Sequence, residues 1–146
     1  MKKLSGSSKI KTAVFISGTG SNLKNLIKFS ALKKSPIQIN FVLSDNPKAM
    51  GLNFAKKNKI KFKILNFKNI KKDENKSLFY LKKNKVDLIC LAGFMKILSK
   101  NFIMKFKGKI LNIHPSLLPK YKGLNTHQRA IENNEKFSGC TVHFVN

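Results

Sequence analysis

Asn112 and His114 are two residues apart at the end of an apolar run, Ile110 to Ile113. On extended backbone, positions i and i+2 project from the same face. The spacing therefore sets an amide donor beside an imidazole at the tip of a strand, and imidazole is the side chain that exchanges protons near neutral pH. The run breaks at once into a loop punctuated by Pro115, Pro119 and Gly123. A loop of that length with no secondary structure of its own is uncommon in a compact domain and is usually functional. A second reading fits the spacing equally well: His114 caps the strand and Asn112 satisfies buried backbone.

Two further stretches can hold ligands. Gly18-Thr19-Gly20-Ser21-Asn22 follows an apolar run, Thr12 to Ser17, and precedes a helical pattern. A glycine turn feeding a helix start exposes backbone N–H groups to an anion, and the helix dipole favours one there. A dinucleotide fingerprint needs a glycine at position 23, which is Leu23, although Asp45 lies near the place of a ribose-binding acid. No Gly-Lys-Ser/Thr follows, which excludes a Walker loop. A tight turn without any ligand is the remaining alternative. Gly93 closes another apolar run, and Phe94-Met95-Lys96-Ile97-Leu98 then offers an apolar ledge with one cation. Such a ledge is by itself more often core than cofactor pocket. His127 and His143 match no usual zinc spacing with His114 and read as ordinary polar positions.

These candidates need elements to position them. The predicted order is a strand over Thr12–Ser17, then a helix with Leu23, Leu26, Ile27 and Ala31 on its inner face, N-capped by Ser21 or Asn22. A strand over Ile37–Ser44 and a turn at Asp45-Asn46-Pro47 follow. Next come a helix over Ala49–Asn58, a strand over Lys61–Asn66, a weak helix over Lys71–Asn84 and a strand over Val86–Ala92. Ser99 caps a further helix that Gly108 closes, and Thr126 caps a short helix from His127 to Asn133. Ser138 to Val145 alternates as a last strand. Strands alternating with helices predict an α/β fold: a Rossmann-like, mostly parallel sheet with helices on both faces. All three candidate stretches follow strand ends, so they should meet on one rim, near a topological switch point.

The chain has 146 residues, enough for one domain with a core of its own. Residues 1–11 read as a basic N-terminal arm and 12–146 as the domain. Cys90 and Cys140 form neither a CxxC motif nor a disulfide framework, which suits a reducing cytoplasm. No apolar stretch has the length of a membrane span. The net charge is +24, with 30 Lys+Arg against 6 Asp+Glu. The lysines are distributed along the whole sequence with no arginine-rich block, so the charge reads as a solvated basic surface in preference to a nucleic-acid footprint. That surface would steer anionic substrates.

Asn112-Ile113-His114-Pro115-Ser116-Leu117-Leu118-Pro119-Lys120-Tyr121-Lys122-Gly123 resembles the signature of the folate-dependent formyltransferases, and of the branch that acts on glycinamide ribonucleotide in purine biosynthesis. Ile16 to Leu23 and Leu91 to Ser99 agree with the same family, in the same order. The resemblance implies the formyltransferase fold and transfer of a formyl group from 10-formyltetrahydrofolate to the amine of glycinamide ribonucleotide, without a metal. It assigns catalysis to Asn112 and His114, the substrate phosphate to Gly20, Ser21 and Asn22, and the folate to Met95, Lys96, Ile97, Leu98 and Asn112. Asn112 and protonated His114 would be donors to the tetrahedral oxyanion, and His114 would pass a proton towards the departing folate nitrogen. Thr19 stands where asparagine is common and Lys96 where arginine is usual, which exchanges a planar fork for a point charge.

The family also uses an aspartate that raises the histidine pKa, and alignment with Thr141 to Asn146 sets it a few positions beyond the last residue. The fold is accordingly expected to be C-terminally incomplete, a fragment of low activity. Formyltetrahydrofolate hydrolase and methionyl-tRNA formyltransferase are the alternatives within the superfamily. A basic nucleic-acid-binding remnant is the alternative outside it.

Overall fold

A computed structural model describes residues 8–146; the greater part of the expected basic arm, residues 1–7, lies outside the described residues. The described residues form six strands and five helices: β1 Ile10–Ile16, α1 Ser21–Ala31, β2 Ile37–Ser44, α2 Leu52–Lys57, β3 Lys61–Ile64, α3 Ile70–Lys83, β4 Leu88–Leu91, α4 Lys100–Lys105, β5 Lys109–His114, α5 Thr126–Glu132 and β6 Thr141–Phe144. They make one sheet in the order β3-β2-β1-β4-β5-β6. Neighbours are parallel except β5 and β6, which are antiparallel.

The sheet is covered on both faces, which explains why its central strands are apolar without alternation. Along β1, Ala13 and Phe15 point into one core with Leu43, Leu81, Ile89 and Phe102. Val14 and Ile16 point into the other with Leu23, Val42, Leu52 and Ala55. Phe15 and Phe102 are fully buried and meet edge-on at 6.5 Å. Burying one such side chain stabilises the fold by about 1.5–3 kcal/mol. Helices α3 and α4 are joined by a buried carboxylate: Ser99 N–H and Oγ–H donate to the two oxygens of Glu74 at 2.7 and 2.6 Å. Ser99 Oγ also accepts from Phe102 N, so the expected cap is present.

Several expected boundaries shift for identifiable reasons. β1 starts at Ile10, because Ile10 N–H donates to the Pro36 carbonyl and Ile10 and Lys11 pair with Ile37 and Gln38. The N-cap of α1 is Gly20 in the left-handed conformation, φ 75°, not Ser21 or Asn22, which are helical. Ala31 is exposed at the end of α1, outside the inner face. Gly108 does not close α4, whose last residue is Lys105. A methyl group at Gly108 would collide with the Asp87 carbonyl, so glycine is needed there for the approach of β5 to β4. Thr126 is the first residue of α5 and is buried, the cap being Asn125 at φ 55°. The last strand spans Thr141–Phe144 only. Helix α3, expected to be weak, is 14 residues long.

Candidate active site

The strand order reverses between β1 and β4, which makes their C-terminal ends the topological switch point where α/β sheets bind ligands. The loops leaving both strands are tied together there. Met95 N–H donates to Ser17 Oγ at 2.8 Å, and Ala92 N–H donates to the Phe15 carbonyl at 2.9 Å. On the outer side of the first loop, Gly51 N–H donates to the Gly18 carbonyl at 3.0 Å. A methyl group at Gly20 would collide with Gly51 Cα, so both the positive φ and the close approach require glycine at this position. Ser21 and Asn22 are exposed in the first turn of α1, where helical N–H groups have no intrahelical partner.

One position further along the sheet, Asn112 and His114 close β5 and line a cleft of about 440 Å³. Gly93, Phe94 and Met95 form its wall on the β4 side, and residues 123–128 form the opposite side. A cleft of this size falls in the ordinary range for small-molecule sites. Gly93 is left-handed, φ 73°, with open space where a side chain would stand. The structure thus brings Met95 together with Asn112 and His114. Lys96 and Ile97 are exposed and lie outside the cleft lining, Ile97 being 91% exposed, and Leu98 is buried in the core with Phe102.

Asn112 has a partner that reading the sequence did not foresee. β5 and β6 set Asn112 opposite His143, and Asn112 Nδ2 lies 3.3 Å from His143 Nε2. His143 Nδ1 is 2.9 Å from the Phe144 carbonyl, which can only accept, so Nδ1 carries the proton. In a neutral imidazole Nε2 is then the acceptor, and the Asn112 amide must turn its NH2 group towards it. His143 is therefore not an ordinary polar position. The signal was hidden because the contact joins residues 31 apart and depends on strand register.

His114 is held by the loop that follows it: its Nε2–H donates to the Tyr121 carbonyl at 2.9 Å. That loop is anchored from several directions. Thr141 Oγ1 donates to the Ser116 carbonyl and accepts from Leu118 N–H, while Ser116 Oγ donates to the Lys120 carbonyl. One Glu135 oxygen accepts from both Lys120 Nζ and the Tyr121 hydroxyl at 2.8 Å. Lys120, then Tyr121, holds the Glu135 carboxyl below its ordinary range. The hydrogen bond to Glu135 raises Lys120 in turn. Arg129 of α5 stacks on the Tyr121 ring at 5.2 Å and donates to the Lys122 carbonyl at 2.7 Å.

Other titratable candidates lie elsewhere. Burial pushes the Cys90 thiol up to about 11, so it is an unreactive core group. His127 lines the cleft at its outer side. Among the described residues, no three His, Cys, Asp or Glu side chains gather as a metal-holding set, and no helix is long and apolar enough to cross a membrane.

Comparison with known proteins gives the family. The sequence profile of the family described as "Formyl transferase" matches residues 10–146. The chain belongs to the formyl transferase family. It is 49% identical over 139 residues to the phosphoribosylglycinamide formyltransferase of Haemophilus influenzae, covering 93% of this chain and 66% of that protein. It is 44% identical over 140 residues to the human trifunctional purine biosynthetic protein adenosine-3, covering 94% of this chain and 14% of that one. The crystal structure of phosphoribosylglycinamide formyltransferase from Brucella melitensis superposes with a TM-score of 0.87 at 42% identity, covering 93% of this chain and 72% of that chain. This formyl transferase chain thus spans about two thirds of the Haemophilus protein and a small part of the human one.

Proposed function

We propose that this chain carries the formyl-transfer site of a phosphoribosylglycinamide formyltransferase, moving a formyl group from 10-formyltetrahydrofolate to the amine of glycinamide ribonucleotide in the cytoplasm. One observation carries the reading: Asn112 and His114 leave β5 side by side into a cleft next to the switch point, in a chain whose relatives include a phosphoribosylglycinamide formyltransferase.

The chemistry follows from donor geometry. The substrate amine attacks the formyl carbon, and the carbonyl π pair moves onto oxygen, giving a tetrahedral oxyanion. Asn112 donates to that oxygen through the amide NH2 whose orientation His143 fixes. His114 stands two residues along the strand; with Nε2–H held by the Tyr121 carbonyl, its Nδ1–H is the second donor and the proton that passes to the departing folate nitrogen. As the carbon–nitrogen bond to folate breaks, the carbonyl re-forms at the transferred carbon, now bonded to the substrate nitrogen, whose extra proton returns to the His114 nitrogen that gave one up. Gly20, Ser21 and Asn22 offer first-turn N–H groups to the substrate phosphate. Phe94 and Met95 supply an apolar wall suited to a flat heterocycle, and the open space above Gly93 admits it. Of the ledge residues expected to hold the folate, Met95 alone lines the cleft; Lys96 and Ile97 stand outside it and Leu98 packs in the core.

Formyl-folate consumption measured with and without glycinamide ribonucleotide tests the proposal. Consumption that needs the ribonucleotide and yields its formylated amine is expected. Equal consumption in both samples would mean a hydrolase and would overturn the reading.

A further inference from the structure

In a mostly parallel α/β sheet the helices run back against the strands. Helix C-termini and strand N-termini therefore share one pole, opposite the rim that holds the site. In this chain that pole gathers lysine. A hollow of about 500 Å³ is lined there by Lys11, Lys59, Lys61, Lys83 and Lys85 with no carboxylate. An adjoining hollow of about 700 Å³ shares Lys11 and Lys85 and adds Lys9, Lys82, Lys105 and Lys107, with Asp87 its only carboxylate.

Lysine near a helix C-terminus ordinarily offsets the macrodipole, and Lys9 does so here by donating to the Ser30 and Leu32 carbonyls. The magnitudes do not balance, however. Four helix ends present roughly −0.5 charge each, about −2 together, and Asp87 adds one more, against nine lysines. Among the described residues the one ion pair, Lys120–Glu135, lies elsewhere. The excess charge therefore faces solvent in two connected concavities.

We propose that this pole is a docking groove for a single strand of nucleic acid, held by its phosphates without base readout. The groove runs along the strand starts from β3 to β5, four spacings of about 4.8 Å, or roughly 19 Å. That length holds roughly four phosphates of an extended strand, whose neighbours stand further apart than the duplex rise of ~3.4 Å. The aromatic side chain in its lining, Phe106, is 9% exposed, so no stacking platform exists to prefer one base over another. The lysines border two hollows, seven of the nine with exposed side chains, and a concave charged surface suits a threaded polyanion better than the plane of a lipid surface. The proposal is independent of the formyl-transfer reading.

The test is fluorescence anisotropy with labelled oligouridylate across a salt series. Four contacts predict a log–log slope of about −2.8, at about −0.7 per phosphate. The quadruple variant Lys59→Gln/Lys61→Gln/Lys83→Gln/Lys85→Gln should flatten the slope by about 1.4, two of the four contacts, and weaken low-salt binding at least tenfold. A control with equal charge loss, Lys68→Gln/Lys71→Gln/Lys72→Gln/Lys76→Gln, should stay within about threefold of the parent. The arginine version of the pole variant should keep binding, which separates charge from folding. Equal loss in pole and control variants, or no binding by the parent, overturns the proposal. So does tighter binding to phosphatidylserine vesicles than to RNA through the same four lysines.

Discussion

Asn112 and His143 face each other across the β5–β6 pair, with Asn112 Nδ2 3.3 Å from His143 Nε2. Because His143 Nδ1–H is committed to the Phe144 carbonyl, the contact fixes which end of the Asn112 amide is the donor. His143 is thus a positioning residue for the proposed oxyanion donor. Replacing His143 with Ala frees the amide to rotate, and losing one such hydrogen bond costs about 1 kcal/mol. The expected result is a kcat lower by about fivefold to tenfold with KM for both substrates unchanged. His143→Gln, which can still accept through its amide oxygen, should recover part of the loss. A merely structural role would lower the melting temperature and leave kcat per folded molecule intact.

The sequence carried some of this and not the rest, and the division is physical. β2 is legible to the residue because Ile37 to Ser44 is an apolar segment buried in the sheet and bounded by Pro36 and the Asp45-Asn46-Pro47 turn. The convergence of the Gly18, Gly93 and His114 segments is legible because all three follow parallel strands. The caps of α1 and α5 are not legible, since Gly20 and Asn125 cap by left-handed backbone with no side-chain hydrogen bond. His143 escapes notice because an antiparallel register, not local spacing, makes it a neighbour of Asn112. Leu98 looks like part of a binding ledge in sequence, yet the turn after Gly93 sends its side chain to the core.

Glu135 ties the loop over His114 to the end of α5. Its carboxyl is held below the ordinary range by Lys120 and Tyr121, so its contribution is present above the unfolded value of about 4.5 and is lost as pH falls through the lower folded value. Lys120 is shifted the opposite way, and its contribution persists until pH rises past its raised value, above 10.5. Limited proteolysis of residues 115–125 should therefore be slow at neutral pH and accelerate below about pH 4.5. Glu135→Gln should show the faster rate already at neutral pH, with little further change in acid. Identical profiles for the two proteins would refute the role given to this carboxylate.

Glu74 is 3% exposed and accepts two hydrogen bonds from Ser99. Glu74→Ala leaves the Ser99 N–H and hydroxyl without that acceptor at the junction of α3 and α4. A loss of about 2 kcal/mol is expected, corresponding to a melting temperature lower by roughly 6 °C. Calorimetry would check this, and an unchanged melting temperature would contradict it.

Gly20 is held at φ 75° against Gly51. Gly20→Ala meets both backbone strain and a collision, at a cost of about 1–3 kcal/mol for the strain alone. Because the collision displaces the loop ahead of α1, affinity for glycinamide ribonucleotide should fall while affinity for folate is retained. Titration calorimetry with each ligand separates the two effects, and equal losses for both would point to general unfolding.

The most direct measurement is the single-turnover rate of glycinamide ribonucleotide formylation by Asn112→Ala, compared with the parent protein at saturating substrates. If Asn112 stabilises the oxyanion, the rate falls by about 10²–10³ while both substrates still bind. A rate within twofold of the parent would contradict the assignment of formyl transfer to the Asn112–His114 pair.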